Sequence, residues 1–159
     1  MPKLDTTNWG GPRKNARDHD LLLCQYCQKR GGTTFTNVKL VDDDPYRNPR
    51  EIDGIRFPSH PRRLISWSRH REQFFELLSN AQRRRLPVEV IEVATGEMND
   101  RGTVGQVIVG GWLLEQRKVK VRKVLVYDSA APRLRDFFKQ HDVVLWSPEK
   151  TDRCPRDAS

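Results

Sequence analysis

The chain has 159 residues, enough for one domain that encloses a core without disulfide staples. With 29 Lys and Arg against 21 Asp and Glu, its net charge is +8 and its pI is near 9.8. That balance points to a polyanionic partner, nucleic acid first, although a basic surface that only solvates the chain has the same composition. No apolar run is long enough to span a bilayer, Met1-Pro2-Lys3-Leu4-Asp5 lacks the apolar core of a secretory signal, and Cys24, Cys27 and Cys154 are too few and too scattered for a disulfide framework. The expectation is a soluble, cytoplasmic chain in a reducing compartment.

Gly10-Gly11-Pro12 leads into a helix over 13–29, closed by Lys29 and Arg30 at its negative end and by Gly31-Gly32 as a left-handed cap. A β-branched segment over 33–41, a turn-rich stretch over 42–49 and a second strand over 51–57 read as a hairpin. Residues 63–67 suit a short strand, and Ser68 suits the N-cap of a helix over 70–85, which Pro87 ends. A third strand covers 88–94 and breaks at Gly96. The pattern Val104, Val107, Ile108, Leu114 with Trp112 reads as a buried helix over 103–114, where Gly110-Gly111 allows close packing. A strand over 119–127, a helix over 132–140 opened by Pro132 and a strand over 143–146 complete the order. The fold class expected is α/β, a mixed central sheet flanked by helices, in a single domain over 1–148 with a polar tail over 149–159.

Alternation along the third strand places Val90, Glu92 and Ala94 on one face and Glu89, Ile91 and Val93 on the other. In the second strand Glu51 and Asp53 share a face. If the two strands are neighbours, Asp53 and Glu92 can converge at a sheet rim, where paired acids bind a hard divalent cation or share a proton. Two solvent-facing strand carboxylates, with Asp53 placed only for its turn at Gly54, are the plainer alternative.

The order Arg50-Glu51-Ile52-Asp53-Gly54, then Val90-Ile91-Glu92-Val93-Ala94, then a Met98-Asn99 turn and a helix carrying Gly105-Gln106-Val107, then Val121 to Val126, resembles the PD-(D/E)XK nuclease superfamily, small stand-alone members above all. The likeness covers about 14–147, with its specific part over 88–114. It implies a restriction-endonuclease-like core, hydrolysis of phosphodiester bonds in DNA by an endonuclease, and Mg2+, for which Mn2+ can substitute. It further implies Asp53, Glu92 and the backbone carbonyl of Val93 as metal ligands, with Gln106 supporting the site. Many such folds act as homodimers, but no dimer face is legible here. The catalytic lysine of the family falls on Ala94. Three explanations stay open: a lysine replaced deliberately to give an inactive form, a basic residue reaching in from elsewhere (Arg101 or Lys29), or a relative that binds nucleic acid without cutting it. Glu97 could assist a metal in any of these.

Arg50, Arg62, Arg63, Arg69, Arg71 and Arg101, with His70 and Trp67, form the candidate DNA-gripping surface, which would serve RNA as well; a solvated basic face is its alternative. Arg83 to Arg85 could extend it. Cys24-Gln25-Tyr26-Cys27 with His19 nearby suggests zinc only weakly, because a structural site wants four ligands; small apolar core residues are the preferred role for both thiols. Two further functions stand beside the nuclease, a non-catalytic nucleic-acid-binding module and a zinc-stabilised RNA-associated domain.

Overall fold

Gly31 and Gly32 have φ of 74° and 75°, a conformation that costs an L side chain far more than glycine. They end helix α1 (Arg17–Arg30) and turn the chain directly into strand β1 (Thr33–Val38). The computed structural model describes residues 2–12, 17–40, 51–95, 100–128 and 135–149, with the backbone alone at 17 and 100–104. After β1 come β2 (Ile52–Phe57), β3 (Arg63–Ser66), a 3-10 turn (Trp67–Arg69), α2 (Arg71–Arg84), β4 (Pro87–Ala94), α3 (Asp100–Glu115), β5 (Lys120–Tyr127), α4 (Arg135–Gln140) and β6 (Val143–Trp146). The expected helix start at 13–16, the 42–49 turn, Arg50, the 96–99 turn with Glu97, Pro132 and the tail beyond 149 lie outside the described residues.

The strands form one six-stranded sheet in the order β3-β1-β2-β4-β5-β6. β2 runs antiparallel to both its neighbours, while β1–β3, β4–β5 and β5–β6 are parallel. The mixed α/β sheet flanked by helices is thus present, and the strand–helix alternation of the second half does produce parallel pairing. β4 is buried at every position but its first, as a strand covered on both faces must be. Val88 and Val90 pack with Phe74 and Leu78 of α2 and Leu114 of α3. Ile91 and Val93 pack on the opposite face with Leu22, Leu23 and Tyr26 of α1.

Residues Val107, Gly110, Gly111 and Leu114 form the buried stripe of α3, at the spacing of one helix face. A Cβ on Gly110 would lie 3.1 Å from Val90 Cγ1, and one on Gly111 2.8 Å from Lys123 Cδ, so the glycine pair sets how closely α3 approaches β4 and β5. Trp112 falls off that stripe and is 54 % exposed, which corrects its expected place in the buried helix. Ser68 likewise does not cap α2. It lies inside the 3-10 turn, and His70 holds the N-cap position without a side-chain bond.

The face beneath α1 carries a buried ion pair. Arg56 of β2 stands opposite Glu89 of β4, and its Nη1 donates to Glu89 Oε2 at 2.6 Å. Arg56 Nε and Nη2 donate to the carbonyls of Gly31 (2.7 Å) and Arg30 (3.1 Å), acceptors left open where α1 ends. The Tyr26 hydroxyl completes the set by donating to Glu89 Oε1 at 2.5 Å.

Cys24 and Cys27 are both fully buried in α1, but Cys24 is disulfide-bonded. That corrects its expected role as a plain core thiol and leaves a zinc site one thiolate short. Cys27 is a free thiol whose pKa burial pushes up to about 12. Among the described residues no helix is long and apolar enough to cross a membrane.

Arg56→Ala leaves Glu89 charged and buried without its cation, so chemical denaturation should show a loss of about 3–5 kcal/mol. Arg122, 3.8 Å from the same Oε2 but 55 % exposed, should cost under about 1 kcal/mol when replaced by Ala. Equal losses would contradict this account of the pair.

Candidate active site

The β2–β4 ladder runs Arg56↔Glu89, Ile55↔Val90, Gly54↔Ile91 and then stops. The next residues along the two strands are Asp53 and Glu92, and from there side chains take over from backbone groups. The Val93 N–H donates to Asp53 Oδ2 at 2.8 Å. The Glu92 carboxyl bonds in turn to the Asp53 carboxyl and the Asp53 N–H. These reciprocal bonds satisfy buried donors that a continued ladder would have paired. On the other side of β2, Asn37 is missing from the β1–β2 pairing and has φ 54°, so Asp53 sits where both flanking ladders are interrupted.

Helix α1 brings a third group. His19, in its first turn, places Nε2 3.0 Å from Asp53 Oδ2 and Nδ1 3.3 Å from Asp20 Oδ1. In the sequence His19 stands near the cysteine pair; in the fold it belongs to the carboxylates. The Asp18-His19-Asp20 run was the available signal, but nothing local shows which strand the helix start meets.

Burial alone would raise the Asp53 pKa, yet the hydrogen bond and charge of His19, the bond to Glu92 and the Val93 amide hold it below the usual carboxylate range. Burial, and then the charge of Asp53, push Glu92 well above that range. The pair therefore shares one proton, carried by Glu92, with Asp53 as the anion. Burial pulls the His19 imidazole down, but its bonds to Asp20 and Asp53 and their charges lift it to about 9. It is a cation at neutral pH.

Two carboxyls held against each other, Glu92 buried and Asp53 half-buried, suit a hard cation, since a divalent ion in place of the shared proton lets both ionise. Val93, whose carbonyl the resemblance adds as a ligand, lies next to Glu92 on the same strand. Among the described residues no group of three or more His, Cys, Asp or Glu could hold a metal. A bound ion would accordingly retain much of its water, as magnesium commonly does.

The other expected site residues are distributed less favourably. Ala94 is buried with Val107, Leu125 and Phe138. Gln106 is exposed and makes no hydrogen bond to either carboxylate. Lys29 is nearly three turns beyond His19 on α1, roughly 15 Å away, too far to replace the missing lysine. The Arg101 side chain lies outside the described residues. Arg62 precedes β3 and Arg63 opens it; both are tied to the N-terminal segment, Arg62 Nη1 donating to the Pro2 carbonyl at 2.6 Å and Arg63 Nε lying 3.6 Å from Asp5 Oδ2. Arg69, His70 and Arg71 follow the other end of β3, at the rim that carries Asp53. Trp67, expected at the gripping surface, is 1 % exposed, with the Arg71 guanidinium 4.6 Å over its ring.

Comparisons with protein-family models, curated proteins and solved structures returned no match. The chemistry of the site rests on its own residues.

Without added metal, His19 stabilises the fold through a pKa of about 9 against an ordinary 6.5. A raised pKa gives stability that is complete below pH 6.5 and is lost as pH climbs through about 9. Urea midpoints of the native protein should therefore fall relative to those of His19→Gln across that window. Parallel pH profiles for the two proteins would show that the His19–Asp53 pair contributes nothing.

Proposed function

We propose that the protein is a magnesium-dependent DNA endonuclease built on a restriction-endonuclease-like core. The observation that carries the reading is the convergence of the half-buried Asp53 and the buried Glu92 on one point at the sheet rim, in a chain of net charge +8. It is the ligand pair that the resemblance to the PD-(D/E)XK superfamily implies, on the second strand and on the central strand. Mg2+ or Mn2+ bound there would polarise the phosphodiester and generate hydroxide from bound water near neutral pH.

The protein's own residues set up that chemistry. The Val93 N–H and His19 Nε2 fix Asp53 Oδ2 from two directions, so the carboxylate is oriented before substrate arrives. Glu92 holds a proton at its carboxyl until a cation displaces it. His19 supplies, from α1, the positive charge that Ala94 cannot supply from β4. Arg69 and Arg71, exposed at the same rim, grip the DNA backbone, which makes affinity fall steeply with salt.

A non-catalytic DNA-binding module is the second reading, favoured by Ala94 alone. Incubation of the full chain with DNA separates the two. Cutting should require Mg2+ or Mn2+, and Asp53→Asn and Glu92→Gln should each slow it by about a hundredfold or more while leaving the fold intact by circular dichroism. Ala94→Lys should accelerate it. If the native chain and Ala94→Lys both bind DNA and cut none, the binding module is correct.

A further inference from the structure

Beside the carboxylates lies a cleft of about 440 Å³ lined by residues of β1, the end of β3 and the N-terminal segment. Its construction is readable from the backbone. Residues 5–8 run along the open edge of β3, where Leu64 N–H donates to the Asp5 carbonyl at 2.8 Å and Ser66 N–H to the Asn8 carbonyl at 3.1 Å. That pairing covers an edge that would otherwise invite other strands. It also delivers Gly10 and Gly11 as a wall without side chains, where a Cβ on Gly10 would meet only Arg69 Nη1, at 4.0 Å.

Two features of the lining point to a ligand. Among the described residues Arg69 and Arg71 have no carboxylate within ion-pair distance, whereas Lys39, also in the lining, lies 3.7 Å from Glu51; the described part of the cleft thus offers two cations to an anion. The Nε1 of Trp67 is buried and has no hydrogen-bond partner among the described residues, a donor left unmet at a cost that an incoming acceptor removes. Asn37, which lines the cleft at a left-handed φ that asparagine tolerates, stands opposite Asp53 across β1 and β2, so the cleft adjoins the carboxylates. From β2 to the end of β3 is two strand spacings, about 10 Å.

We propose that this cleft binds one unpaired nucleotide of a DNA strand, with its phosphate on Arg69 and Arg71 and its base or sugar accepting from Trp67. The volume admits a single nucleotide and not a base pair, so the cleft selects single-stranded or frayed DNA for the neighbouring carboxylates. The proposal deepens the nuclease reading and rests on it for the strand's onward path, but nucleotide binding is measurable without cleavage.

The test uses the full chain in EDTA, titrated with thymidine 5′-monophosphate, inorganic phosphate, a short single-stranded oligonucleotide and its duplex. The mononucleotide should shift the Trp67 indole N–H in a 1H–15N spectrum, with an affinity that Arg69→Gln lowers roughly tenfold or more at unchanged melting temperature. The single strand should bind more tightly than the duplex. A Trp67 signal unmoved by the mononucleotide, an Arg69→Gln affinity equal to native, equal binding of single strand and duplex, or a full response to phosphate alone would each overturn the proposal. Binding without any cleavage would keep the cleft and refute the nuclease; cleavage without mononucleotide binding would do the reverse.

Discussion

The contact between Arg56 and Glu89 fixes where everything else at the site can be. The two face each other across β2 and β4, and Arg56 reaches the last carbonyls of α1 while Tyr26 of the same helix reaches Glu89. A helix held at its C-terminal end to one register of two strands has its N-terminal end fixed too. That end carries His19 to Asp53, three residues along β2 from Arg56. A buried ion pair is weak as a source of net stability, because desolvation offsets most of the attraction. Its contribution here is positional: slippage of α1 by one residue would take the Tyr26 hydroxyl from Glu89 and the two helix-end carbonyls from Arg56.

The opposite end of the β2–β4 pair is arranged to repel. Glu92 is buried and Asp53 half-buried against it, so charging both without a cation between them is unfavourable. His19 relieves part of this from α1, which is why Asp53 stays ionised while Glu92 takes the proton. A structural role alone would be met more cheaply by apolar residues, as Val90 and Ile91 show on the same strand. The strain of two adjacent carboxyls, the interrupted ladders on both sides of Asp53 and the left-handed Asn37 gather at one rim, and Arg69 and Arg71, without an ion-pair partner among the described residues, lie beside them. Such concentration is typical of sites and rare in scaffolding.

Much of the fold could be read from sequence because its signals are local. The β-branched run of β4, the Gly31-Gly32 stop and the close-packing Gly110-Gly111 pair each carry their own reason. Asp53 and Glu92 were legible as strand residues, although their meeting depends on a register that no local pattern encodes. His19 was hidden for that reason, its place being set by Arg56 and Glu89 far along the chain. The arginines over 62–71 look continuous in sequence, yet β3 carries one pair to each end of the sheet. The tryptophans exchanged roles: Trp67 plugs the core under Arg71, and Trp112 misses the apolar stripe of α3 by one step of the helix. The disulfide at Cys24 had no sequence signal beyond an odd cysteine count.

The central claim is that Asp53 and Glu92 form a divalent-cation site. Mn2+ binding to the full chain, followed by electron paramagnetic resonance in the absence of DNA, tests it most directly. The account predicts saturable binding of Mn2+ that Mg2+ competes away and that both Asp53→Asn and Glu92→Gln abolish. Mn2+ binding that is absent in the native protein, or unchanged in those two variants, would contradict it.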